Sequence, residues 1–135
     1  MRPAVFYTAE WCPVCYRTSI FLKKLEAMGY IHLIWIDIDA VNSGTLMDKY
    51  RAFLSRVFGG EVHVPAVLLD DDKWFVPSIT STRKRRVLGE KERIEAAVRE
   101  LEERFLRAIS ERPPLPFPSC HEAMLLAKGR GASYA

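Results

Sequence analysis

Two cysteines separated by two residues, Cys12 and Cys15, constrain this chain more than any other feature. They lie where a short apolar run, residues 4–7, gives way to a helical pattern of apolar positions. Such a pair at a strand-to-helix junction is typical of a redox-active dithiol when strands and helices alternate along the chain. The pair therefore predicts a reversible disulfide within an α/β fold.

The residues around the pair predict different roles for its two sulfurs. Pro13 suits the first helical position, because its fixed φ and missing N–H cost nothing there. Cys12 is then the N-cap residue, and its sulfur faces free backbone N–H groups and the positive end of the helix dipole. Since that environment stabilises a thiolate, Cys12 is predicted to attack. Cys15 lies almost one turn further in, and we expect it to be more covered and to resolve.

The same pair can supply half of a four-ligand zinc site. The remaining cysteine and histidines are scattered and form no second pair: His32, His63, Cys120 and His121. We therefore predict no metal site. A structural metal, or a metal or iron–sulfur cluster carried by Cys12 and Cys15, stays as an alternative.

Size and charge limit the classes of partner. The chain has 135 residues, of which 49% are hydrophobic, enough for one domain with an apolar core. Its net charge of +3 is too small to indicate nucleic acid. The basic run 83–86 has neither interleaved aromatic residues nor a recognition helix, so we expect a solvated loop there and no nucleic-acid partner. We expect a monomer or a weak dimer.

Composition also bears on the compartment and the source. Residues 1–3 lead straight into a strand without the pattern of a signal peptide, and no apolar run approaches membrane-spanning length. We therefore expect a cytoplasmic protein with no membrane partner. The sequence has no Gln and a single Asn, Asn42, but many Glu, Arg and Lys residues. That composition is typical of heat-adapted proteins and predicts a thermophile as the source.

Apolar spacing predicts the elements that follow the cysteines. The first helix runs to about Met28, and a buried strand covers 31–38, with Asp37 and Asp39 as turn residues at its C-terminal end. A second helix over 45–58 ends at Gly59-Gly60. We expect Asn42 or Ser43 to cap it, and its inner face to carry Leu46, Tyr50, Phe53 or Leu54, and Val57.

The second half of the domain is predicted as a hairpin and a long helix. A strand over 62–69 turns back at 70–73 into an edge strand over 74–76, and 78–88 is an irregular basic connection. The last helix, 90–109, has a buried stripe formed by Ile94, Val98, Leu101, Phe105 and Ala108. Its expected i, i+4 ion pairs are Glu95–Arg99, Glu100–Arg104 and Glu103–Arg107.

The domain is predicted to end near residue 111. Residues 112–135 then form a proline-rich tether and a short C-terminal helix. Cys120 follows Ser119 at the predicted start of that helix. It is a possible accessory redox cysteine, and the alternative is a small apolar residue that docks the tail.

Two motifs carry a resemblance to a known family: Trp11-Cys12-Pro13-Val14-Cys15 and Val64-Pro65. With the elements between them, they resemble the thioredoxin and glutaredoxin superfamily over residues 3 to 109. The resemblance implies a thioredoxin-like three-layer α/β/α sandwich with a mixed central sheet of about four strands. It implies a cis bond before Pro65, beside the disulfide. It also assigns substrate contacts to Trp11, Pro13, Val14, Val64 and Pro65, with the Val64 backbone pairing with an extended stretch of substrate.

The activity implied by the resemblance is dithiol–disulfide exchange on protein disulfides, without a bound cofactor, either reducing a target or donating the disulfide to it. The partners would be disulfide-containing proteins and an unidentified reductase or dithiol donor, in cell redox homeostasis. Glu10 would repel the carboxylates of glutathione, which favours protein substrates. By analogy with glutaredoxins, Pro13 and Val14 favour a reduction potential more oxidising than that of thioredoxin, on the order of −200 mV. The alternative is a redox-sensing or interaction module that uses the same cysteines.

Overall fold

The computed structural model describes residues 2–84 and 90–111, and strands and helices alternate along them. The elements are β1 (Arg2–Thr8), α1 (Pro13–Ala27), β2 (Ile31–Asp37), α2 (Thr45–Phe58), β3 (Ala66–Leu69), β4 (Lys73–Phe75) and α3 (Lys91–Glu111). Their order confirms the predicted one. The proline-rich tether, the tail helix, Cys120, Arg85 and Arg86 lie outside the described residues.

The strands form a mixed sheet in the order β2-β1-β3-β4. β1 pairs with β2 in parallel, whereas β3 is antiparallel to both β1 and β4. β1 occupies the middle because it is apolar on both faces, and its residues from Ala4 to Tyr7 are at most 1% exposed. The predicted α/β fold with four strands in a mixed sheet is confirmed. Pro77 follows β4, which is the edge strand that the sequence predicted.

Ring contacts show which helices cover each face of the sheet. On one face, Phe75 packs edge-on against Phe105 of α3 at 5.1 Å, and Phe105 contacts Phe21 of α1 at 5.9 Å. On the other face, Tyr7 stacks on Tyr50 of α2 with ring centroids 4.5 Å apart. The sheet therefore lies between α1 and α3 on one side and α2 on the other, which gives an α/β sandwich.

The long helix α3 follows its predicted pattern closely. Every residue of the predicted stripe is buried: Ile94, Val98, Leu101, Phe105 and Ala108. Of the expected ion pairs, the one between Glu100 and Arg104 is present, with 3.8 Å between Glu100 Oε1 and Arg104 Nε. Glu95 instead bonds across to Arg17 of α1. No helix within residues 2–84 and 90–111 is both long and apolar enough to cross a membrane.

Two expectations for α2 were wrong. Val57 is 53% exposed, because the larger ring of Phe58 covers the last turn and stacks on the ring of His63 at 4.0 Å. The N-cap residue is Gly44, and no side chain caps the helix, although Asn42 or Ser43 was expected to do so. Gly59 ends the helix in the left-handed conformation, as predicted.

The strand predicted over 62–69 is shorter in the structure. Its ladder begins at Ala66, since Pro65 has no N–H to donate. Val64 lies before this break and forms an isolated antiparallel bridge with Ser81. The connection after β4 therefore pairs with the segment that leads into β3, which the sequence did not indicate.

The ion pair between α1 and α3 predicts a pH dependence of stability. Arg17 donates to Glu95 through Nε at 2.6 Å and Nη2 at 2.8 Å, and this contact holds the pKa of Glu95 below its usual value of 4.5. A lowered carboxylate pKa contributes stability above the usual value, and that contribution is lost as the pH falls through the folded-state pKa. We therefore expect Arg17→Gln to lower the free energy of unfolding at neutral pH and to lower it less at about pH 3.

Urea unfolding at both pH values checks this expectation. Arg107→Gln, which removes an exposed arginine elsewhere on α3, is the control and should show the acid dependence of the unsubstituted protein. An equal loss of stability for Arg17→Gln at both pH values would mean that the pair does not contribute through the Glu95 charge.

Candidate redox site

The two cysteines of the predicted pair lie at the start of α1, directly after the loop that follows β1. Pro13 is the first helical residue, and Cys12 is the N-cap with an extended backbone, as predicted. Cys12 and Cys15 form a disulfide, with their Cα atoms 5.2 Å apart. The N–H of Cys15 donates to Cys12 Sγ at 3.1 Å. The Cys12 sulfur therefore occupies the place where a free N–H of the first turn and the helix dipole favour negative charge.

Both cysteines are covered by the protein. Cys12 is 2% exposed and Cys15 is 1% exposed. The margin by which Cys15 is more covered is too small to distinguish the two roles. The asymmetry of the pair rests on the cap position of Cys12.

The second motif of the resemblance lies beside the first. The peptide bond between Val64 and Pro65 is cis, as expected, and both residues are buried. The carbonyl oxygen of Val64 lies 3.7 Å from Cys12 Sγ, across 52 residues of sequence. The fold thus brings together the two motifs that the sequence analysis paired.

The Val64 backbone already has a partner within the chain. Its N–H donates to the Ser81 carbonyl at 3.1 Å, and its carbonyl accepts from the Ser81 N–H at 2.8 Å. The resemblance assigned this backbone to a substrate. In this structure, residues of the connection after β4 occupy it.

The residues flanking Cys12 differ in their accessibility. Trp11 and Pro13 are partly exposed, whereas Val14 has no exposed surface and belongs to the hydrophobic core. Trp11 also donates from Nε1 to Asp39 at 2.7 Å. Among the three, Trp11 and Pro13 are therefore the residues that present surface beside the disulfide.

Asp39 is a site residue that sequence reasoning missed. The predicted turn is present, since Asp37 accepts from the Asp39 N–H at 2.9 Å. In addition, Asp39 Oδ2 accepts from Trp11 and Oδ1 accepts from Arg83 Nη1, each at 2.7 Å. The sequence did contain one indication of the contact between Asp39 and Trp11. Because β1 and β2 were expected to be parallel, the residues that follow each strand should lie at the same end of the sheet.

His63, just before the cis bond, is held from several sides. Its carbonyl accepts from the Tyr50 hydroxyl at 2.7 Å, and its Nδ1 lies 2.7 Å from Thr80 Oγ1. Burial raises the pKa of Tyr50, so its hydroxyl stays a donor at neutral pH. These contacts fix the segment that leads into Val64.

Metal ligation was the alternative use of the cysteines. Within the part of the chain that the structure describes, no three His, Cys, Asp or Glu side chains form a group that could hold a metal ion. Cys120 and His121 lie outside that part. The accessory role of Cys120 therefore stays a prediction.

Comparisons with known proteins add little to this geometry. No protein-family model matches the chain, and no curated protein matches it. A solved structure titled "Structure of a malarial protein" is similar over 74% of this chain and 96% of its own length, at 19% identity and a TM-score of 0.33. A similarity this weak carries no argument about fold or function.

Proposed function

We propose that this protein is a thiol–disulfide oxidoreductase of the thioredoxin and glutaredoxin type, acting on protein disulfides. The observation that carries the proposal is the disulfide between Cys12 and Cys15 at the N-terminus of α1, beside the cis bond before Pro65. The contact between Cys12 Sγ and the Val64 carbonyl supports it, because the two motifs are far apart in sequence.

The proposed reaction starts from the reduced protein. The Cys12 thiolate attacks one sulfur of a substrate disulfide, and the other substrate sulfur leaves as a thiolate and takes up a proton. Cys15 then loses its proton and attacks the Cys12 sulfur of the mixed disulfide. The substrate leaves with both sulfurs reduced, and Cys12 and Cys15 are joined. Two electrons have passed to the substrate, and a dithiol donor or reductase restores them.

The geometry supports Cys12 as the attacking sulfur. As N-cap, its sulfur accepts from the Cys15 N–H, and this bond would stabilise a thiolate as well. Cys15 lies inside the helix, where its own sulfur is not at the cap. Because exposure does not separate the two, the proposed roles rest on this hydrogen bond.

The substrate class and setting are part of the same proposal. The exposed Glu10 next to the motif favours protein disulfides over glutathione, whose carboxylates it would repel. We also propose a cytoplasmic location and a reaction without a bound cofactor. Both rest on the interpretation of the sequence.

The experiment that tests the proposal is a redox titration followed by an activity assay. The purified protein is equilibrated in glutathione buffers, and its thiols are trapped and counted by mass. We expect a two-electron transition of Cys12 and Cys15 with a midpoint more oxidising than about −270 mV, because Pro13 at the helix start favours the thiolate form. We also expect turnover of a disulfide-bonded substrate such as insulin.

The control is the double variant Cys12→Ser with Cys15→Ser, which keeps Cys120. Turnover that survives in this variant would contradict the proposal, and so would the absence of a two-thiol transition in the unsubstituted protein.

The contacts from Arg83 through Asp39 to Trp11 favour one alternative, a redox-sensing module whose disulfide changes a partner interaction, because they join the basic run to the residue before Cys12. The two functions differ in stoichiometry. An oxidoreductase converts many equivalents of disulfide for each protein molecule, whereas a sensor reacts once and then needs a separate reductant.

A further inference from the structure

We propose that residues 80–83 form an internal latch that keeps the redox site closed. The latch pairs with the Val64 backbone, which a substrate chain would need, and it must release before a protein disulfide can reach Cys12. This inference rests on the proposed function, since it concerns the regulation of the same site.

The first attachment of the latch is the bridge between Ser81 and Val64. It uses the N–H and the carbonyl of Val64, at 3.1 and 2.8 Å. A second chain cannot take the same N–H while Ser81 holds it. Because the Val64 carbonyl is 3.7 Å from Cys12 Sγ, this bridge lies directly beside the reactive sulfur.

The second attachment of the latch lies beside the motif that contains the two cysteines. Arg83 donates to Asp39, and Asp39 in turn accepts from Trp11, the residue before Cys12. A third contact joins Thr80 to His63 at 2.7 Å, just ahead of Val64. The latch is therefore tied to residues adjoining Cys12 in the chain and to residues leading into the cis bond.

The burial of the site agrees with a closed state. Ser81 is fully buried and Thr82 is 8% exposed, although neither belongs to a helix or a strand. Thiol–disulfide exchange needs the attacking sulfur to reach a substrate sulfur in line with the bond that breaks. In the disulfide form that the structure shows, Cys12 is 2% exposed and offers almost no surface.

Two features of the closed state favour opening of the latch without unfolding of the domain. The side chains of Arg83 and Asp39 are 54% and 39% exposed, and ion pairs of this kind contribute little to stability. Ser81 Oγ is buried without a hydrogen-bond partner among residues 2–84 and 90–111, which costs free energy in the closed state. The latch can therefore open locally while the sheet stays intact.

Two variants should open the latch. Ser81→Pro removes the N–H that donates to Val64, and Arg83→Gln removes the charge that binds Asp39. We expect Ser81→Pro to raise the alkylation rate of reduced Cys12 by about tenfold or more, and Arg83→Gln by about two- to fivefold. Turnover of insulin should rise in step, because both measurements report the same opening.

Two matched variants should leave the latch closed. Ser81→Ala keeps the backbone bridge and removes only the unpartnered hydroxyl, so alkylation should be unchanged or slower. Lys84→Gln removes the neighbouring exposed cation and should have no effect.

Iodoacetamide serves as the alkylating reagent because it is uncharged, and peptide mapping shows which cysteine it has modified. Hydrogen exchange of the peptide containing the Val64 N–H should quicken in Ser81→Pro and Arg83→Gln alone.

Failure of the latch and failure of the proposed function give different results. If Cys12 is alkylated and the Val64 amide exchanges at the same rates in all five proteins, the latch is refuted, whether or not the protein turns over insulin. If alkylation and exchange rise in the opening variants but no protein turns over a disulfide, the latch stands and the oxidoreductase function fails. Since Arg83 lies at the surface, its variant keeps the test valid even if Ser81→Pro fails to fold.

Discussion

Replacing Cys12 with Ser is expected to abolish disulfide exchange, lowering the rate by about 10³-fold or more, while the domain stays folded. A serine hydroxyl keeps its proton at neutral pH and cannot form a mixed disulfide, whereas a thiolate at the helix cap can. The loss should be the same for every disulfide substrate, because the missing group is the attacking atom itself.

Replacing Cys15 with Ser should stop turnover in a different way. Cys12 can still attack, but no second sulfur is present to release the product, so the mixed disulfide should accumulate. Mass spectrometry under non-reducing conditions distinguishes the two variants after incubation with insulin. A Cys120→Ser background removes adducts at the third cysteine.

The reverse pattern would contradict the assigned roles. If Cys12→Ser accumulates the adduct and Cys15→Ser does not, then Cys15 is the attacking sulfur. The outcome is informative because both cysteines are almost equally buried, so accessibility alone predicts no difference.

The second large effect is expected on stability. Phe105→Ala should lower the free energy of unfolding by about 3–5 kcal/mol. Phe105 is fully buried and its ring contacts Phe75 of the sheet at 5.1 Å and Phe21 of α1 at 5.9 Å. Its truncation would leave a cavity where two helices and the sheet meet, and neighbours on rigid elements can refill it only in part.

Leu106→Ala is the matched control, because Leu106 is the next residue of α3 and is 44% exposed. Its loss should stay below about 1 kcal/mol, as for most surface substitutions. Urea unfolding of both variants, compared at equal m-values, measures the two losses. Similar losses would mean that the Phe105 contacts contribute no more than any helix position.

A latched redox site has a chemical consequence for the thiols. Thiolates that are exposed to oxidants can be oxidised through sulfenic acid to sulfinic and sulfonic acids, which are not readily reversed. A site closed by residues 80–83 would expose Cys12 only during productive encounters. In the proposed mechanism, the burial of Cys12 in the closed state is therefore compatible with its role as the attacking sulfur.

The sequence determined most of the local structure. Pro13 and Cys12 specified the start of α1, Gly59 the end of α2, and the apolar spacing from Ile94 to Ala108 the buried face of α3. The helix ends depend on single turns and the buried face on apolar residues three or four positions apart, where backbone geometry fixes which groups meet. The pairing of Cys12 with Cys15 is of the same kind, since both lie in one turn.

Only the tertiary structure decided which distant segments of the chain contact one another. Glu95 was expected to pair along its own helix, yet it bonds to Arg17, 78 residues away, because α1 and α3 pack side by side. Asp39 binds Arg83 across 44 residues, and Val64 pairs with Ser81 outside any regular ladder. Such contacts depend on the order of strands in the sheet and on the path of the connection after β4. Neither the strand order nor that path leaves a periodic pattern in the sequence, so the pairing of Cys12 with Cys15 was predictable and these long-range contacts were not.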